Sequence, residues 1–454
     1  MTNSYRDARV VVIGLGRAGF GMSKTLNAVG AKVLAVDEKS ADNPDLLAAS
    51  DALCAAGVDV ITSWSGDLQF STLDLIAPSP GVSANHPTLR SAAAAGVPIH
   101  SEMEIAYRIS RAPIIAVTGT NGKSTVTALT WHMLKTQKQS AVLCGNIAGS
   151  GYDETVVTTA ALNASPTDIL VAEVSSFQLE WIAEFRPRAA AIIQIAPDHL
   201  DRYSSFEQYA ATKRKVFSNM GAGDTVVAHH DRPETFPPTE SGVNLLSIGS
   251  TGCDALLEQG RLSFVNSAVV IESRSLWFPG QHNLENCAFA SLLSLPFGAT
   301  LEGCSQAITS FKGLRNRMEF VGEQAGVRYI NNSMCTNPAA VESSLSALEG
   351  STLLLAGGVC KVSDLSPLVR IASKLKKAYL FGRDAPKLAD AIASGGCDAE
   401  RFDTLDEALN AARNEAVSGD TVILAPGCAS FDQFDSFIER GDRFRSLVLE
   451  RAHA

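Results

Sequence analysis

Residues 114–125 read Ile-Ile-Ala-Val-Thr-Gly-Thr-Asn-Gly-Lys-Ser-Thr, an apolar run feeding a glycine-rich turn that closes on Gly122-Lys123-Ser124. Ile114–Val117 has the make-up of a short buried strand, and the pattern after Thr125 is helical. Strand, glycine loop, Gly-Lys-Ser and helix in that order form a phosphate-binding loop. The glycines let backbone N–H groups approach phosphate oxygens, and the helix N-terminus adds positive potential. Gly119, Thr120, Asn121, Gly122, Lys123, Ser124 and Thr125 are therefore the candidate ATP contacts. Lys123 can reach the β- and γ-phosphates, and the Ser124 hydroxyl can ligate Mg²⁺. A chance turn would account for the tripeptide, but not for the strand and helix around it. Val117 stands where the common pattern has its first glycine, so the loop is a variant.

Outward from this loop, short β-branched runs alternate with helical patterns nearly throughout, which predicts α/β architecture with parallel sheets. Upstream, Val10–Ile13 is a strand, followed by a glycine turn, a helix to about Val29, and a strand Val33–Val36 that ends at Asp37. Downstream, strands are expected near Ile169–Ala172 and Ala191–Ile195, with glycine-punctuated β sequence from Gly223 to Phe278. The last section has an expected hairpin over Met318–Ile330 and strands at Leu353–Leu355, Ala378–Phe381 and Val422–Leu424. Three domains follow: 1–111 (Rossmann-like), 112–313 (ATPase-like, carrying the phosphate loop) and 314–454 (Rossmann-like).

The 454-residue chain has 46% hydrophobic and 19% charged residues, enough apolar material for a core in each domain. Its formal net charge is −10, and no basic block is present, which argues against a nucleic-acid partner. Nine dispersed cysteines without a CxxC pair imply reduced thiols, most of them core fillers, in a cytoplasmic protein. The opening MTNSYRDAR has no apolar leader, and the apolar runs are too short for membrane insertion.

A second glycine motif competes for attention. Gly14-Leu15-Gly16-Arg17-Ala18-Gly19 follows a strand and opens a helix, with Asp37 ending the next strand. That is a dinucleotide fingerprint, and by itself it would favour an NAD-dependent oxidoreductase. The phosphate loop in the next domain and the lack of a hydride-transfer arrangement weigh against that reading. The same geometry can hold the diphosphate of any nucleotide, with Asp37 near a uridine. Ser79, Pro80 and Gly81, after the expected strand Leu73–Ala77, would form a second lip on that sheet edge, or merely a turn.

Several further blocks together resemble the Mur ligase family, and within it the ligases that add glutamate to UDP-N-acetylmuramoyl-L-alanine. They are TGTNGKST (118–125), GNIAG (145–149), EVSSFQLE (173–180), DHLDRY (198–203), YAATK (209–213), GQHNLEN (280–286), GLRNRMEF (313–320) and PGCASFDQF (426–434). The resemblance spans nearly the whole chain. It implies an ATP-dependent, carbon–nitrogen bond-forming ligase of peptidoglycan precursor synthesis (cell-wall biogenesis, cell shape and division), acting as a monomer. Glu173 and His199 are implied as Mg²⁺ ligands, and Lys213 as a lysine that becomes a ligand once carbamylated. Asn146, Ser176 and His199 are implied contacts to the UDP substrate, Asn283 and Asn286 to adenine, and Arg317 to the ATP phosphates. Read as residues alone, Glu173 is a strand-end carboxylate that could hold the Mg²⁺ bound by Ser124, its apolar lead-in weighing against a merely solvated one, Lys213 is a surface lysine, and Asn283 and Asn286 are helix caps.

In the last domain Ser430-Phe431-Asp432 is expected to begin the helix after the final strand, where free N–H groups could hold a carboxylate. The resemblance places glutamate against Ser430 and Phe437, with Thr336 and Lys361 at its other carboxylate. One block departs from the pattern. Residues 331–337 read Asn-Asn-Ser-Met-Cys-Thr-Asn, whereas the glutamate-adding enzymes usually carry Asp, Lys and Ala at 332, 334 and 335. One anion and one cation are lost together, as if a mutually supporting pair had gone. D-glutamate, L-glutamate and another amino acid all stay open on that ground, while the ATP and metal residues are intact. A non-catalytic ATP-binding switch would explain the loop but not Glu173, His199 and the third-domain residues together.

Overall fold

The computed structural model describes residues 5–40, 42–66, 68–199, 202–346, 348 and 350–450. It is an α/β protein with three sheets. Internal contacts group the first two sheets into one unit and the third into another, which also takes in the short segments Gly149–Gly151 and Leu276–Gly280.

The first sheet is wholly parallel, in the spatial order Asp59–Ile61, Lys32–Val36, Arg9–Ile13, Leu75–Pro78. Both of its faces are covered. Val10, Val12, Leu75 and Ala77 pack into one core, and Val11, Ile13 and Ile76 into the other. This is why its strands read as continuous apolar runs rather than alternating ones.

In the second sheet Ile114–Thr118 lies between Ala189–Ile192 and Ile169–Glu173, with Ala141–Gly145 beyond the latter, all parallel. Thr225–His229, Asn244–Gly249 and Ala255–Glu258 continue it in parallel on the other side, and Arg261–Phe264 and Val270–Glu272 close it antiparallel. The expected strand Ala191–Ile195 starts two residues earlier and ends at Ile192, because the chain must leave the sheet to turn over the phosphate loop.

The third sheet begins with the antiparallel hairpin Glu319–Gln324 and Val327–Asn331 and continues in parallel through Thr421–Gly427, Thr352–Gly357, Lys377–Phe381 and Ala399–Phe402. Two expectations fail here. Ser430–Asp432 does not start a helix: those residues are a bend and turn, and the helix runs Phe437–Glu450. Ala429 is held by an isolated bridge to Val359, so the chain continues in an extended path past the strand end before it can coil. The cysteines are not all reduced thiols either, since Cys360 and Cys428 are joined as a disulfide. Among the described residues, no helix is long and apolar enough to cross a membrane.

Candidate active site

The phosphate loop is a tightly supported turn. Gly119 has φ 144° and Gly122 φ 85°, both in the left-handed half of backbone space. A Cβ at 119 would lie 3.1 Å from the Gln194 carbonyl oxygen, so only glycine fits without displacing main chain. The Thr120 N–H donates to that same oxygen at 2.8 Å, and its hydroxyl lies 3.1 Å from the Ala196 carbonyl and from the Tyr209 hydroxyl. Lys123 opens the helix Lys123–Thr136, its Nζ donating to the Thr120 carbonyl at 2.9 Å. Ser124 and Thr125 follow, buried, while Asn121 at the loop tip is exposed.

One strand-end residue and a helix bring charge to this loop. Glu173 pairs in register with Val117, one residue before the loop's strand ends, and is 3% exposed. One of its carboxylate oxygens accepts from the Asn146 side chain at 3.0 Å; the other is buried without a hydrogen-bond partner. A buried, unpartnered carboxylate oxygen is costly in a folded protein unless something cationic meets it.

Lys213 lies in the helix Phe206–Arg214, but it is no surface lysine: it is 2% exposed and donates to the Gly119 carbonyl at 2.9 Å. Burial, and then the neighbouring Lys123 ammonium, bring its pKa down to about 7. Asn283 and Asn286 are not caps. They sit inside the helix Gln281–Ser294, buried and joined by a 3.0 Å hydrogen bond, and a Cβ on Gly122 would lie 3.0 Å from the Asn286 side-chain oxygen. His199 is exposed at φ 54°, its ring 4.8 Å from Phe177 and 6.1 Å from Tyr209. Leu200 and Asp201 of the same block lie outside the described residues.

The first sheet presents its glycine loop at the carboxyl edge, where Gly14 has φ 85° and Gly19 approaches so closely that a Cβ would strike the Gly14 carbonyl. Asp37 supports this loop directly, accepting from the Leu15 N–H at 2.8 Å and the Lys39 N–H at 2.9 Å. Gly16 caps the helix Arg17–Ala28, and the Arg17 guanidinium donates to the Ile147 carbonyl at 2.7 Å, next to Asn146. Ser79 N–H donates to the Ile13 carbonyl, which sets the Ser79-Pro80-Gly81 lip beside Gly14.

Arg202, which sequence reading passed over, ties this lip to the second sheet. It donates to both Glu180 oxygens (2.9 and 2.6 Å) and to the carbonyls of Pro80 (3.1 Å) and Val82 (2.7 Å), and lies 4.0 Å over the Phe177 ring. Ser176, buried at the start of the short helix Ser176–Leu179 that also carries Phe177, is thereby held relative to the lip. The signal for Arg202 was its place in DHLDRY; its carbonyl partners, about 120 residues upstream, carry no mark in the sequence.

The second unit collects Ser333, Thr336, Lys361, Ser430 and Phe437 from four separate segments at the carboxyl edge of its sheet. Ser430 is 2% exposed and its hydroxyl has no hydrogen-bond partner. Lys361 is exposed, its Nζ 5.3 Å from the ring of the exposed Phe431. Thr336 is half-buried. The Arg317 guanidinium rests on the Met334 sulfur at 2.8 Å.

Beneath them Arg440 is fully buried. It donates to the Ser333 hydroxyl (3.0 Å) and carbonyl (2.9 Å) and to the Cys428 carbonyl (3.0 Å). Burial lowers its pKa to about 10, which leaves it charged at neutral pH. Asn332 and Asn331 are buried too, Asn332 bonding the Met318 N–H (3.1 Å) and the Ser344 hydroxyl (2.7 Å).

Family models match three stretches: the Mur ligase MurD-like N-terminal domain over 8–101, the Mur ligase middle domain over 117–294, and the Mur ligase glutamate ligase domain over 316–428. The chain belongs to the Mur ligase family. It is an ATP-dependent ligase that forms amide bonds. Two proteins named UDP-N-acetylmuramoylalanine–D-glutamate ligase are similar to it almost end to end. That of Pelotomaculum thermopropionicum is 37% identical over 99% of each chain, and that of Caldanaerobacter subterraneus subsp. tengcongensis 36% over 98% and 99%. Among solved structures, UDP-N-acetylmuramate–alanine ligase MurC of Thermotoga maritima shares the fold at a TM-score of 0.61 (18% identity; 98% and 99% covered). MurF of the same organism, in complex with ADP, does so at 0.59 (17%; 99% and 97%).

Proposed function

We propose that the protein joins D-glutamate to UDP-N-acetylmuramoyl-L-alanine in the cytoplasm, through an acyl phosphate, with breakdown of ATP to ADP and phosphate. The observation that carries this reading is that two of the buried oxygens without a hydrogen-bond partner, Glu173 Oε2 and Ser430 Oγ, lie beside the phosphate loop and at the third sheet's edge. A carboxylate oxygen suits a cation and a hydroxyl suits a carboxylate, the groups this ligase family handles, and the relatives named D-glutamate ligases match the chain almost end to end.

In this reading the chain divides at about 111 and 313 and works as a monomer. Gly14, Leu15, Gly16, Arg17, Asp37 and the Ser79–Gly81 lip receive the UDP moiety, and Asn146, Ser176 and His199 the muramoyl arm. The loop 119–125 cradles the triphosphate, with Asn283 and Asn286 at adenine and Arg317 at the phosphates. Lys123 steadies the γ-phosphoryl group as it passes to the terminal carboxylate of the UDP substrate. Thr336, Lys361, Ser430, Phe431 and Phe437 hold glutamate so that its amine attacks the acyl phosphate, and phosphate leaves from the tetrahedral intermediate.

Ser124, Glu173, His199 and a carbamylated Lys213 would hold Mg²⁺, which when bound neutralises the negative charge of phosphates and carboxylate. Lys213 is suited to that modification. With a pKa of about 7, much of it is a neutral amine near neutral pH, able to add CO₂ with loss of a proton. The anion so formed would remove the repulsion between Lys213 and Lys123.

Phosphate release is to be measured with ATP, UDP-N-acetylmuramoyl-L-alanine and each glutamate enantiomer separately. Release with D-glutamate alone is expected. Equal or greater release with L-glutamate would overturn the assignment and favour the second reading, which the loss of the family's lysine at Met334 supports.

A further inference from the structure

We propose that Cys360 and Cys428 form a reversible thiol–disulfide site, open to small-molecule thiols and disulfides, that fixes the spacing of the two loops holding the incoming amino acid. The proposal rests on the amino-acid pocket assigned above.

The pair is set by backbone register. Val359 and Ala429 form an antiparallel bridge and exchange both hydrogen bonds, Val359 N–H to the Ala429 carbonyl at 2.8 Å and the reverse at 2.9 Å. In such a ladder the next opposed pair, 360 and 428, is the non-hydrogen-bonded kind, whose Cα atoms lie about 4.5 Å apart. Their Cα atoms are 4.6 Å apart, inside the range a disulfide spans. Lys361 follows one cysteine directly and Ser430 follows the other by two residues. The bond therefore staples the Lys361 loop to the Ser430 turn at the point where both leave the sheet.

The remaining supports on the two loops are unequal. Cys428 is fully buried, and its carbonyl accepts from Arg440 at 3.0 Å. Cys360 is half-buried, held by its N–H to the Asp384 carboxylate at 2.8 Å, and residues 361–364 after it are exposed. Reduction therefore frees the Lys361 side far more than the Ser430 side. The other cysteines are unpaired, and all but Cys54 are buried.

The chemistry closes without a bound cofactor. The Cys360 thiolate attacks a small disulfide RSSR and releases RS⁻. The Cys428 thiolate then attacks the Cys360 sulfur of the mixed disulfide and releases a second RS⁻. The two protons given up by the cysteines convert both leaving groups to RSH. Two protein thiols are oxidised and one RSSR is reduced; a small thiol in excess runs the sequence backwards.

The test uses the full chain equilibrated in buffers of reduced or oxidised glutathione. Alkylation and mass measurement should find two more modifiable thiols in the reduced protein, in the peptides carrying Cys360 and Cys428. KM for the amino acid should rise roughly 2- to 10-fold on reduction, the scale of ordering one mobile side chain, with KM for ATP unchanged. Cys360→Ser should sit at the reduced value in both buffers, and Cys54→Ser should respond as the parent does. Equal KM values in the two buffers, or a redox response that survives in Cys360→Ser, would overturn the proposal. Loss of all ligation in both buffers would instead overturn the substrate assignment, and the alkylation pattern still decides whether the bond forms.

Discussion

The phosphate loop at 118–125 and the sheet edge that carries Ser333, Lys361 and Ser430 both stand at the carboxyl ends of parallel strands, yet they are built differently. The loop is contiguous: eight successive residues, two glycines in the left-handed region, and hydrogen bonds from Thr120 and Lys213 to neighbouring main chain. The third sheet's edge, proposed to hold the amino acid, is assembled from residues 331–336, 357–361, 428–430 and 437–440, joined beneath by the buried Arg440. Recognition in the first case comes from backbone geometry that few sequences can adopt. In the second it comes from side chains brought together over a hundred residues, where exchange of one group can be compensated by another.

The sharpest way to break that contrast is at Lys123. Lys123→Ala removes the one side-chain cation of the loop that can follow the transferred phosphoryl group, and activity should fall on the order of a thousandfold, read as phosphate release. Near-normal turnover would show that the loop does not do this work.

Lys213→Ala should cost on the order of a hundredfold in turnover, with partial rescue by acetate, which can stand in for the oxygens of the proposed carbamate. Its pKa of about 7 adds a pH signature. The neutral amine prevails in the folded protein above pH 7, so activity at limiting bicarbonate should rise as pH increases through 7. The unfolded chain keeps this proton until about 10.4, so the same shift makes folding stability grow with pH between those values. Full activity of the alanine variant without acetate would remove Lys213 from the proposed metal site.

The contrast also explains what was legible. The α/β class, the three sheets and the phosphate loop could be read because apolar runs and glycines carry them locally. The helix expected at Ser430 could not, because the bridge from Ala429 to Val359 keeps that segment extended, and a bridge between residues 70 apart leaves no local trace. Lys213 was legible only through resemblance: its spacing is that of a surface lysine, and the buried Gly119 carbonyl it meets is 94 residues away. Arg202 and the Cys360–Cys428 pair went unread for the same reason.

Arg440→Met moves to the other side of the comparison. Methionine can fill the space, but the Ser333 and Cys428 carbonyls lose a buried donor. Chemical denaturation should find the third domain weaker by about 2–4 kcal/mol. A variant as stable as the parent would mean that desolvating the guanidinium costs as much as its hydrogen bonds return, and that the edge is held by packing.

The smallest effect is expected at the departure itself. If the family's anion and cation support one another, neither should help alone. Met334→Lys would place an unmatched ammonium beside the Arg317 guanidinium, which now rests on the Met334 sulfur. Asn332→Asp would put an anion where Asn332 donates to Ser344, whose hydroxyl already donates to the Ala340 carbonyl and would have to turn. Each single change should weaken amino-acid binding slightly, and the double change should recover it, with a coupling of about 1 kcal/mol between the two sites in KM for glutamate. Strict additivity would mean that the two positions were exchanged independently, and that the edge tolerates charge at 332 and 334 one residue at a time.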